Sequence, residues 1–255
     1  MVVLRSSMRG WVFNVMAALA VVSSLSSTAC RKVSADPAGR AVETASPPVE
    51  ASGVERPVVV FLGDSLTAGL GLPEDRTYPA LLEGRLAREN TPVRVVNAGV
   101  SGDTTAGGLT RLAWLLRQKP SVVVVGLGAN DALRGLPLEM TERNLREIIG
   151  QARASGAAVL LLGMRIPPNY GDAYAGAFDK LYSRIARELA VPLVPFLLEG
   201  VGGHPELNLA DGLHPSERGH EIVATNVYPF LAALLRDLPA RRTRTSSKTP
   251  LGSPR

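Results

Sequence analysis

Residues 58–65 have the sequence VVVFLGDS, in which five consecutive apolar residues lead directly into Gly63, Asp64 and Ser65. A continuous apolar run rich in β-branched residues is typical of a strand that is buried on both faces of a sheet. A glycine followed by short polar residues is typical of the turn that leaves such a strand. The segment therefore predicts a buried strand that presents Asp64 and Ser65 at its carboxyl end.

Four further apolar runs follow at intervals of 29 to 36 residues: Val93–Ala98, Val122–Leu127, Ala157–Leu162 and Leu193–Phe196. Apolar residues with helical spacing lie between the later runs, within residues 109–116, 145–152 and 178–189. A last amphipathic segment starts at Ser216, a predicted N-cap, and extends to Leu238, with Pro229 expected to kink or restart it. Strand and helix alternating at this period predict right-handed βαβ units and a parallel sheet.

Polar or glycine-rich clusters stand just after these runs, and the carboxyl ends of parallel strands are where an open sheet gathers its ligands. The clusters are Gly63-Asp64-Ser65-Leu66, residues 99–104 (GVSGDT), Gly128-Ala129-Asn130-Asp131 and, before the last helix, residues 211–215 (DGLHP). Because the strands are predicted to be parallel, all four clusters are expected at one edge of the sheet.

Nucleophilic acyl transfer requires a nucleophile, a base and an acid that orients the base. Ser65, His214 and Asp211 are the candidates for these three roles. An unassisted serine hydroxyl is too weakly acidic to attack an ester, so it needs a neighbouring base. Asp211 and His214 lie three residues apart in an Asp-Gly turn, where the carboxylate can orient one imidazole nitrogen and leave the other to accept a proton. Attack creates an oxyanion, for which Gly102, Asn130 and the backbone N–H of Ser65 are candidate donors.

Each of these residues also has an ordinary structural role. A serine after a strand is usually a helix cap, Gly102 fits a turn, and Asn130 fits an Asx-turn. Catalysis is favoured over these separate roles because a nucleophile, a base, an orienting acid and hydrogen-bond donors are all expected at one edge of the sheet.

Several other polar residues are not assigned to the chemistry. Asp64, Asp103 and Asp131 are interpreted as loop caps, and Asp64 is also a candidate to hold the neighbouring serine in place. His204 and His220 are predicted to lie on the surface.

The four clusters resemble the sequence blocks of the SGNH (GDSL-type) hydrolases. The serine, glycine, asparagine and histidine that give the family its name fall here on Ser65, Gly102, Asn130 and His214, with Asp211 in the acid position. The resemblance is closest to the secreted bacterial thioesterase/lysophospholipase and arylesterase branch. It continues through residues 133–135 (LRG), 165–171 (RIPPNYG) and 191–196 (VPLVPF), and so covers nearly all of residues 57–238.

The resemblance implies an α/β fold: a three-layer α/β/α, flavodoxin-like sandwich with a five-stranded parallel sheet. It also implies a serine esterase that hydrolyses carboxylic esters or thioesters through an acyl-enzyme, with no metal or organic cofactor. The loops 132–137 and 165–171 are implied to border the acyl site, where an apolar wall for short to medium acyl chains would comprise Leu133, Leu136, Ile166 and Tyr170. Aryl esters, lysophospholipids and acyl thioesters all remain candidate substrates.

Other functions compete with this interpretation. Related carbohydrate esterases share the same blocks, so O-deacetylation of a sugar remains open. A non-catalytic flavodoxin-like module could bind a phosphate-bearing ligand at the same strand ends, although its first loop would be expected to carry more Gly, Ser or Thr. A metallophosphoesterase could use Asp64, Asn130, Asp131 and His214, but a binuclear site needs more histidines than the three in this chain supply.

The composition excludes several classes of protein. The chain has 255 residues, of which 45% are hydrophobic and 20% charged, unlike a collagen, a wholly disordered chain or a multi-span membrane protein. The net charge of +5 does not belong to the predicted domain, because residues 56–238 hold 18 basic and 19 acidic residues, whereas residues 239–255 hold five basic and no acidic ones. A nucleic-acid partner is therefore not expected.

The N-terminal segment predicts export. Arg5 and Arg9 precede a mostly apolar stretch from Trp11 to Leu25, and small residues precede Cys30, as in a secretory signal. Residues 1–30 are interpreted as a signal peptide. Cys30, the single cysteine, resembles the lipid-bearing cysteine of a bacterial lipoprotein, although Ser27 stands where that signal usually has leucine. Ordinary cleavage, with Cys30 incidental, is the alternative.

The remaining segments complete the predicted organisation. Residues 31–56 are rich in Ala, Pro, Ser and Glu and predict a disordered linker; residues 239–255 predict a disordered basic tail; residues 57–238 form the predicted hydrolase domain. We expect an exported protein, either periplasmic or anchored to the membrane as a lipoprotein. Its expected partner is a small-molecule ester or thioester, a monomer is favoured, and an N-terminal lipid would be its one membrane contact.

Overall fold

The computed structural model describes residues 56–166 and 170–238. The predicted signal peptide, Cys30, nearly all of the predicted linker and the predicted basic tail lie outside the described residues. Within the described ranges, no helix combines the length and the apolar character that crossing a membrane requires.

Five parallel strands form one sheet in the order β2-β1-β3-β4-β5, which is the flavodoxin-like order. The strands are β1 (Val58–Gly63), β2 (Arg94–Gly99), β3 (Val122–Gly126), β4 (Ala158–Leu162) and β5 (Leu193–Val194). Each lies within the apolar run that predicted it or extends one residue beyond it. The predicted five-stranded parallel sheet is therefore confirmed.

The centre of the sheet is formed by β1 and β3, in which every residue is buried. Their registers align Phe61 of β1 with Val124 of β3 on one side and with Asn97 of β2 on the other. Strand β2 is only partly buried because it lies at an edge, and polar side chains such as Arg94 are tolerated there.

In the part of the chain that the structure describes, seven α-helices connect and cover the strands. They are α1 (Ser65–Ala68), α2 (Tyr78–Arg88), α3 (Thr105–Leu116), α4 (Ala129–Leu133), α5 (Leu138–Ala154), α6 (Asp172–Leu189) and α7 (Glu217–Arg236). Helix α2 packs against α7, while α5 packs against both α3 and α6. Helices α2 and α7 lie on one face of the sheet and α3, α5 and α6 on the other, because the crossovers in this strand order are right-handed. The described residues therefore form three layers.

Helix α7 begins as predicted. Ser216 is the N-cap, and its Oγ accepts a hydrogen bond from the N–H of Gly219 at 3.3 Å. Of the two expected effects of Pro229, a restart does not occur: the helix continues through this residue, at the cost of the hydrogen bond that proline cannot donate.

His220, which also lies in α7, is buried, so its predicted surface position is wrong. Only 1% of this residue is exposed. Its Nδ1 accepts a hydrogen bond from the backbone N–H of Tyr78 at 3.0 Å, and the two rings stack with centroids 6.0 Å apart. His220 thus joins α7 to the first residue of α2. His204 is exposed, as predicted.

Candidate active site

The candidate site lies where the direction of the strand order reverses. The chain runs from β1 outward to β2 and then crosses back to β3, so the carboxyl ends of β1 and β3 adjoin at a topological switch point. Helix α1 starts directly after β1 and helix α4 shortly after β3. At the end of β2, a Cβ on Gly99 would lie 2.2 Å from the nitrogen of Ala68. The absence of that atom lets α1 lie against β2.

The structure brings Ser65, His214 and Asp211 together in one chain of hydrogen bonds. The Nε2 atom of His214 lies 2.8 Å from Oγ of Ser65, although the two residues are 149 positions apart in sequence. The Nδ1 atom of His214 lies 2.6 Å from Oδ2 of Asp211. This arrangement allows the imidazole to take a proton from the hydroxyl while the carboxylate holds the other ring nitrogen as a donor.

The turn that carries Asp211 and His214 stabilises the ionised carboxylate. Oδ1 of Asp211 accepts hydrogen bonds from the backbone N–H groups of His214 at 3.0 Å and Leu213 at 2.9 Å. These two bonds, together with the His214 side chain, lower the pKa of Asp211 to about 2. The turn is closed by a hydrogen bond of 2.7 Å from the N–H of Leu209 to the carbonyl oxygen of His214. Asp211 therefore carries its charge across the neutral and mildly acidic range.

Asp64 holds the start of the nucleophile helix and also contacts Asn130. Its Oδ1 accepts from the N–H of Leu66 at 3.0 Å, which makes it the N-cap of α1. Its Oδ2 accepts from Nδ2 of Asn130 at 3.2 Å. Burial raises the pKa of this carboxyl to about 6, against the lowering effect of those hydrogen bonds. One carboxylate thus fixes both the helix of Ser65 and the amide of Asn130.

Gly102 occupies a turn that favours glycine. A hydrogen bond of 3.0 Å from the N–H of Asp103 to the carbonyl oxygen of Val100 closes the turn, and Gly102 has a φ of +80°. Positive φ at this position is typical of a type II turn, which glycine adopts without steric cost. The carbonyl oxygen of Gly102 accepts a hydrogen bond of 2.7 Å from Nη2 of Arg134.

These residues open into a cavity of about 280 Å³. Ser65, His214, Gly102 and Asn130 all line it, together with apolar side chains from several elements: Leu66, Leu70, Leu133, Met164, Ile166, Phe196, Leu198 and Leu213. The polar groups that could act on a carbonyl therefore share one cavity with a largely apolar lining.

Only two of the four residues that were predicted to form an apolar wall line this cavity. Leu133 and Ile166 line it, whereas Leu136 and Tyr170 are not among its lining residues. Tyr170 instead donates from Oη to the carbonyl oxygen of Leu133 at 3.4 Å. The carbonyl oxygen of Leu136 accepts from Tyr174 at 2.8 Å. Sequence reasoning missed Met164 and Phe196, although both closely follow a strand, which is the signal that identified the polar clusters.

The side chains of Asp131 and Asp103 contact residues outside their own loops. Asp131 is buried and accepts from the N–H and the hydroxyl of Thr105 at 2.8 and 2.5 Å, which ties α4 to the start of α3. Asp103 forms an ion pair of 2.8 Å with Arg111. Asp131 thus accepts from the first backbone N–H of α3 and Asp103 pairs with a side chain of that helix, contacts that go beyond the expected loop capping. In the described ranges, no three His, Cys, Asp or Glu side chains are grouped so that they could hold a metal ion.

Comparisons with known proteins agree with this arrangement. The model of the GDSL-like lipase/acylhydrolase family matches residues 61–222. The chain is 48% identical over 178 residues to the esterase TesA of Pseudomonas aeruginosa, covering 69% of this chain and 89% of that protein. It is 41% identical over 167 residues to thioesterase 1/protease 1/lysophospholipase L1 of Escherichia coli K12, covering 65% of this chain and 79% of that protein.

A solved structure shares the fold. It is the psychrotrophic esterase EstA of a Pseudoalteromonas species, in a form inhibited by monoethylphosphonate. The superposition has a TM-score of 0.67 at 31% sequence identity and covers 71% of this chain and 99% of that one.

Proposed function

The chain belongs to the GDSL-like lipase/acylhydrolase family, also called the SGNH hydrolases, and from that premise we propose that it is a serine esterase acting through Ser65, His214 and Asp211. One observation carries the proposal: the continuous hydrogen-bonded path from Oγ of Ser65 through both nitrogens of His214 to the Asp211 carboxylate. A single one of these contacts would have a structural explanation, but the complete path is what a nucleophile, base and orienting acid require.

The reaction proceeds in two acyl transfers. His214 accepts the hydroxyl proton through Nε2 while the Ser65 oxygen bonds to the carbonyl carbon of an ester or thioester. The bond to the leaving group then breaks, and His214 returns the proton to the departing alcohol or thiol. Water attacks the acyl-enzyme in the same way, which releases the carboxylic acid and regenerates the free serine.

Three donors hold the negative charge that develops on the carbonyl oxygen. They are the backbone N–H groups of Ser65 and Gly102 and the side-chain amide of Asn130. Removal of one such donor costs about 10²- to 10³-fold in turnover where it has been measured, because the donor is aimed at the transition state in a site that excludes water. Asp64 supports this role of Asn130 by fixing its amide at 3.2 Å.

The substrate class follows from the lining of the cavity. Nine apolar residues, the eight named above and Ala129, line a space of about 280 Å³ next to the nucleophile, which suits a short or medium acyl chain. We therefore favour carboxylic esters, thioesters and lysophospholipids over an O-acetylated sugar, which would need polar partners for its hydroxyl groups.

The deciding experiment is labelling with a fluorophosphonate, followed by mapping of the adduct by mass spectrometry. We expect one adduct, on Ser65, and none in Ser65→Ala, whose turnover of p-nitrophenyl butyrate should fall by about 10⁶ by analogy with other triads. Ser101 lines the same cavity and serves as an internal control for mere proximity. An adduct on Ser101, or full activity of Ser65→Ala, would disprove the mechanism.

The preferred substrate would be found from initial rates on a series of p-nitrophenyl esters, acyl-CoAs, lysophospholipids and an acetylated oligosaccharide. The apolar lining predicts that rates rise from acetyl to medium-chain esters. A maximum on the acetylated oligosaccharide, with little turnover of longer esters, would favour the deacetylase instead.

A further inference from the structure

The candidate oxyanion donors stand on segments that the sheet does not hold together directly. Gly102 follows β2 and Asn130 follows β3, and β1 separates these two strands. Their separation therefore depends on contacts between loops. Because a misplacement of about 1 Å can cost about 100-fold in rate, such contacts matter for the reaction.

Arg134 touches both of these segments. Its Nη2 donates to the carbonyl oxygen of Gly102 at 2.7 Å. Its backbone N–H donates to the carbonyl oxygen of Asn130 at 3.2 Å, because Arg134 is the residue that caps the C-terminus of α4. Within residues 56–166 and 170–238, no other side chain forms a hydrogen bond with Gly102.

The charge of Arg134 has no counterpart nearby. No carboxylate of the described residues pairs with it, and the side chain is exposed. Arg165, the arginine that lines the cavity, differs because it forms an ion pair of 2.9 Å with Asp179. Among the described residues, the hydrogen bond to Gly102 is therefore the one polar contact of the Arg134 side chain, and it is of the stronger, charge-assisted type.

We propose that Arg134 is a positioning residue of the oxyanion hole, which fixes the Gly102 turn relative to the Asn130 amide. This inference rests on the proposed esterase function. Arg134 does not touch the substrate. It holds the loop after α4 against the loop after β2, so that both donors meet the same carbonyl oxygen.

The test compares Arg134→Met and Arg134→Lys with the wild type. For p-nitrophenyl butyrate, we expect Arg134→Met to lower kcat by about 10- to 100-fold while KM changes by less than about twofold, since the ground-state carbonyl depends little on the hole. Inactivation by a p-nitrophenyl alkylphosphonate, which transfers its phosphonyl group to Oγ of Ser65 and releases p-nitrophenolate, should slow by the same factor, because its phosphoryl oxygen is expected in the same hole. Arg134→Lys, which keeps the charge but lacks the planar fork, should recover part of the loss.

Arg117→Met is the matched control. Arg117 also caps the C-terminus of a helix, α3, and is exposed, and its side chain forms no hydrogen bond or ion pair with the described residues. The control should keep wild-type kcat, which separates the loss of a charge from the loss of the contact. Melting temperatures of all variants should match the wild type, since an exposed side chain contributes little to stability.

Two results would overturn the inference. Identical kcat values for Arg134→Met and Arg117→Met would show that the contact does not affect the hole. A rise in KM confined to phosphate-bearing substrates such as acyl-CoAs, with kcat unchanged, would make Arg134 a substrate contact instead. In either case, wild-type protein that is labelled at Ser65 and hydrolyses p-nitrophenyl butyrate would leave the proposed function intact.

Discussion

The buried carboxylate of Asp64 lowers the stability of the fold but accepts hydrogen bonds that position the candidate site. Burial of its carboxylate destabilises the folded state, as the raised pKa of about 6 indicates. The same carboxylate accepts hydrogen bonds from the N–H of Leu66 and the amide of Asn130. A neutral side chain would avoid the cost of burying a charge. It could not, however, accept hydrogen bonds from both the N–H of Leu66 and the amide of Asn130 as a carboxylate does. Asp64 is therefore a position where activity and stability should separate.

Asp64→Asn should accordingly be more stable and less active. The raised pKa means that the wild type loses stability as pH rises from about 4 to about 6, and the full cost persists above that range. At pH 8 we expect the variant to gain about 1–3 kcal/mol in free energy of unfolding. The new amide must turn the Asn130 amide to avoid opposing donors, so kcat should fall by about 10- to 1000-fold.

Urea unfolding at pH 8 and pH 4 measures the first effect, and turnover of p-nitrophenyl butyrate measures the second. The gain in stability should disappear at pH 4, where the wild-type carboxyl is already protonated. Wild-type turnover in Asp64→Asn would show that the contact with Asn130 has no part in the reaction.

Ser65, Gly102 and Asn130 could be selected from the sequence because they closely follow predicted strands, and parallel strands end at one edge. Asp211 and His214 were selected by their spacing in the turn before the last predicted helix. Ser65 and His214 are therefore adjacent in space as expected. The burial of His220 could not be predicted in this way. It follows from the packing of α7 against α2, and nothing local distinguishes a buried histidine from an exposed one early in a helix.

Strands were easier to predict than helices. The central strands β1 and β3 were marked by uninterrupted apolar runs because they are covered on both faces, whereas the run that predicted the edge strand β2 includes Arg94 and Asn97. Helices α1 and α4 have only four and five residues, too few for a periodic pattern. Helix α2 was missed although Tyr78, Leu82 and Leu86 recur every four residues and are buried. Its signal was present and would have revealed the helix.

The junction of α2 and α7 should limit stability in acid. Burial lowers the pKa of His220 to about 4, so the unfolded state binds a proton more readily than the folded state between about pH 6.5 and pH 4. Stability is therefore lost as pH falls through that range. His220→Asn keeps an acceptor for the N–H of Tyr78 but does not titrate.

We expect His220→Asn to be less stable than the wild type at pH 7, because the stacked ring is lost, but to lose about 1–3 kcal/mol less between pH 7 and pH 4.5. Urea unfolding of both proteins across this range gives the difference. Asp64 titrates there with the opposite sign, but it is present in both proteins and cancels. Parallel stability curves for the two proteins would rule out His220 as the acid-sensitive group.

The charge of the whole molecule is divided between its parts. Residues 56–238 are close to neutral, and the five basic residues of 239–255 account for the high isoelectric point. A neutral catalytic domain gains little from electrostatic attraction to an anionic surface. Retention at a membrane would then depend on a covalent anchor, and Cys30 is the residue that we propose for it.

Lipidation of Cys30 predicts where the protein is found and leaves its chemistry unchanged. Expressed with residues 1–255 in a Gram-negative host, the wild type should sediment with membranes, and Cys30→Ser should appear in the periplasmic extract. The side chains of the candidate site lie between Asp64 and His214 in the sequence, so a change at Cys30 removes none of them. Both proteins should therefore have the same kcat/KM on p-nitrophenyl butyrate. Mass spectrometry of the mature N-terminus tests the lipid anchor directly. A chain that starts at Cys30 with a diacylglyceryl thioether supports the anchor. An unmodified cysteine, or a chain that starts after Cys30, contradicts it.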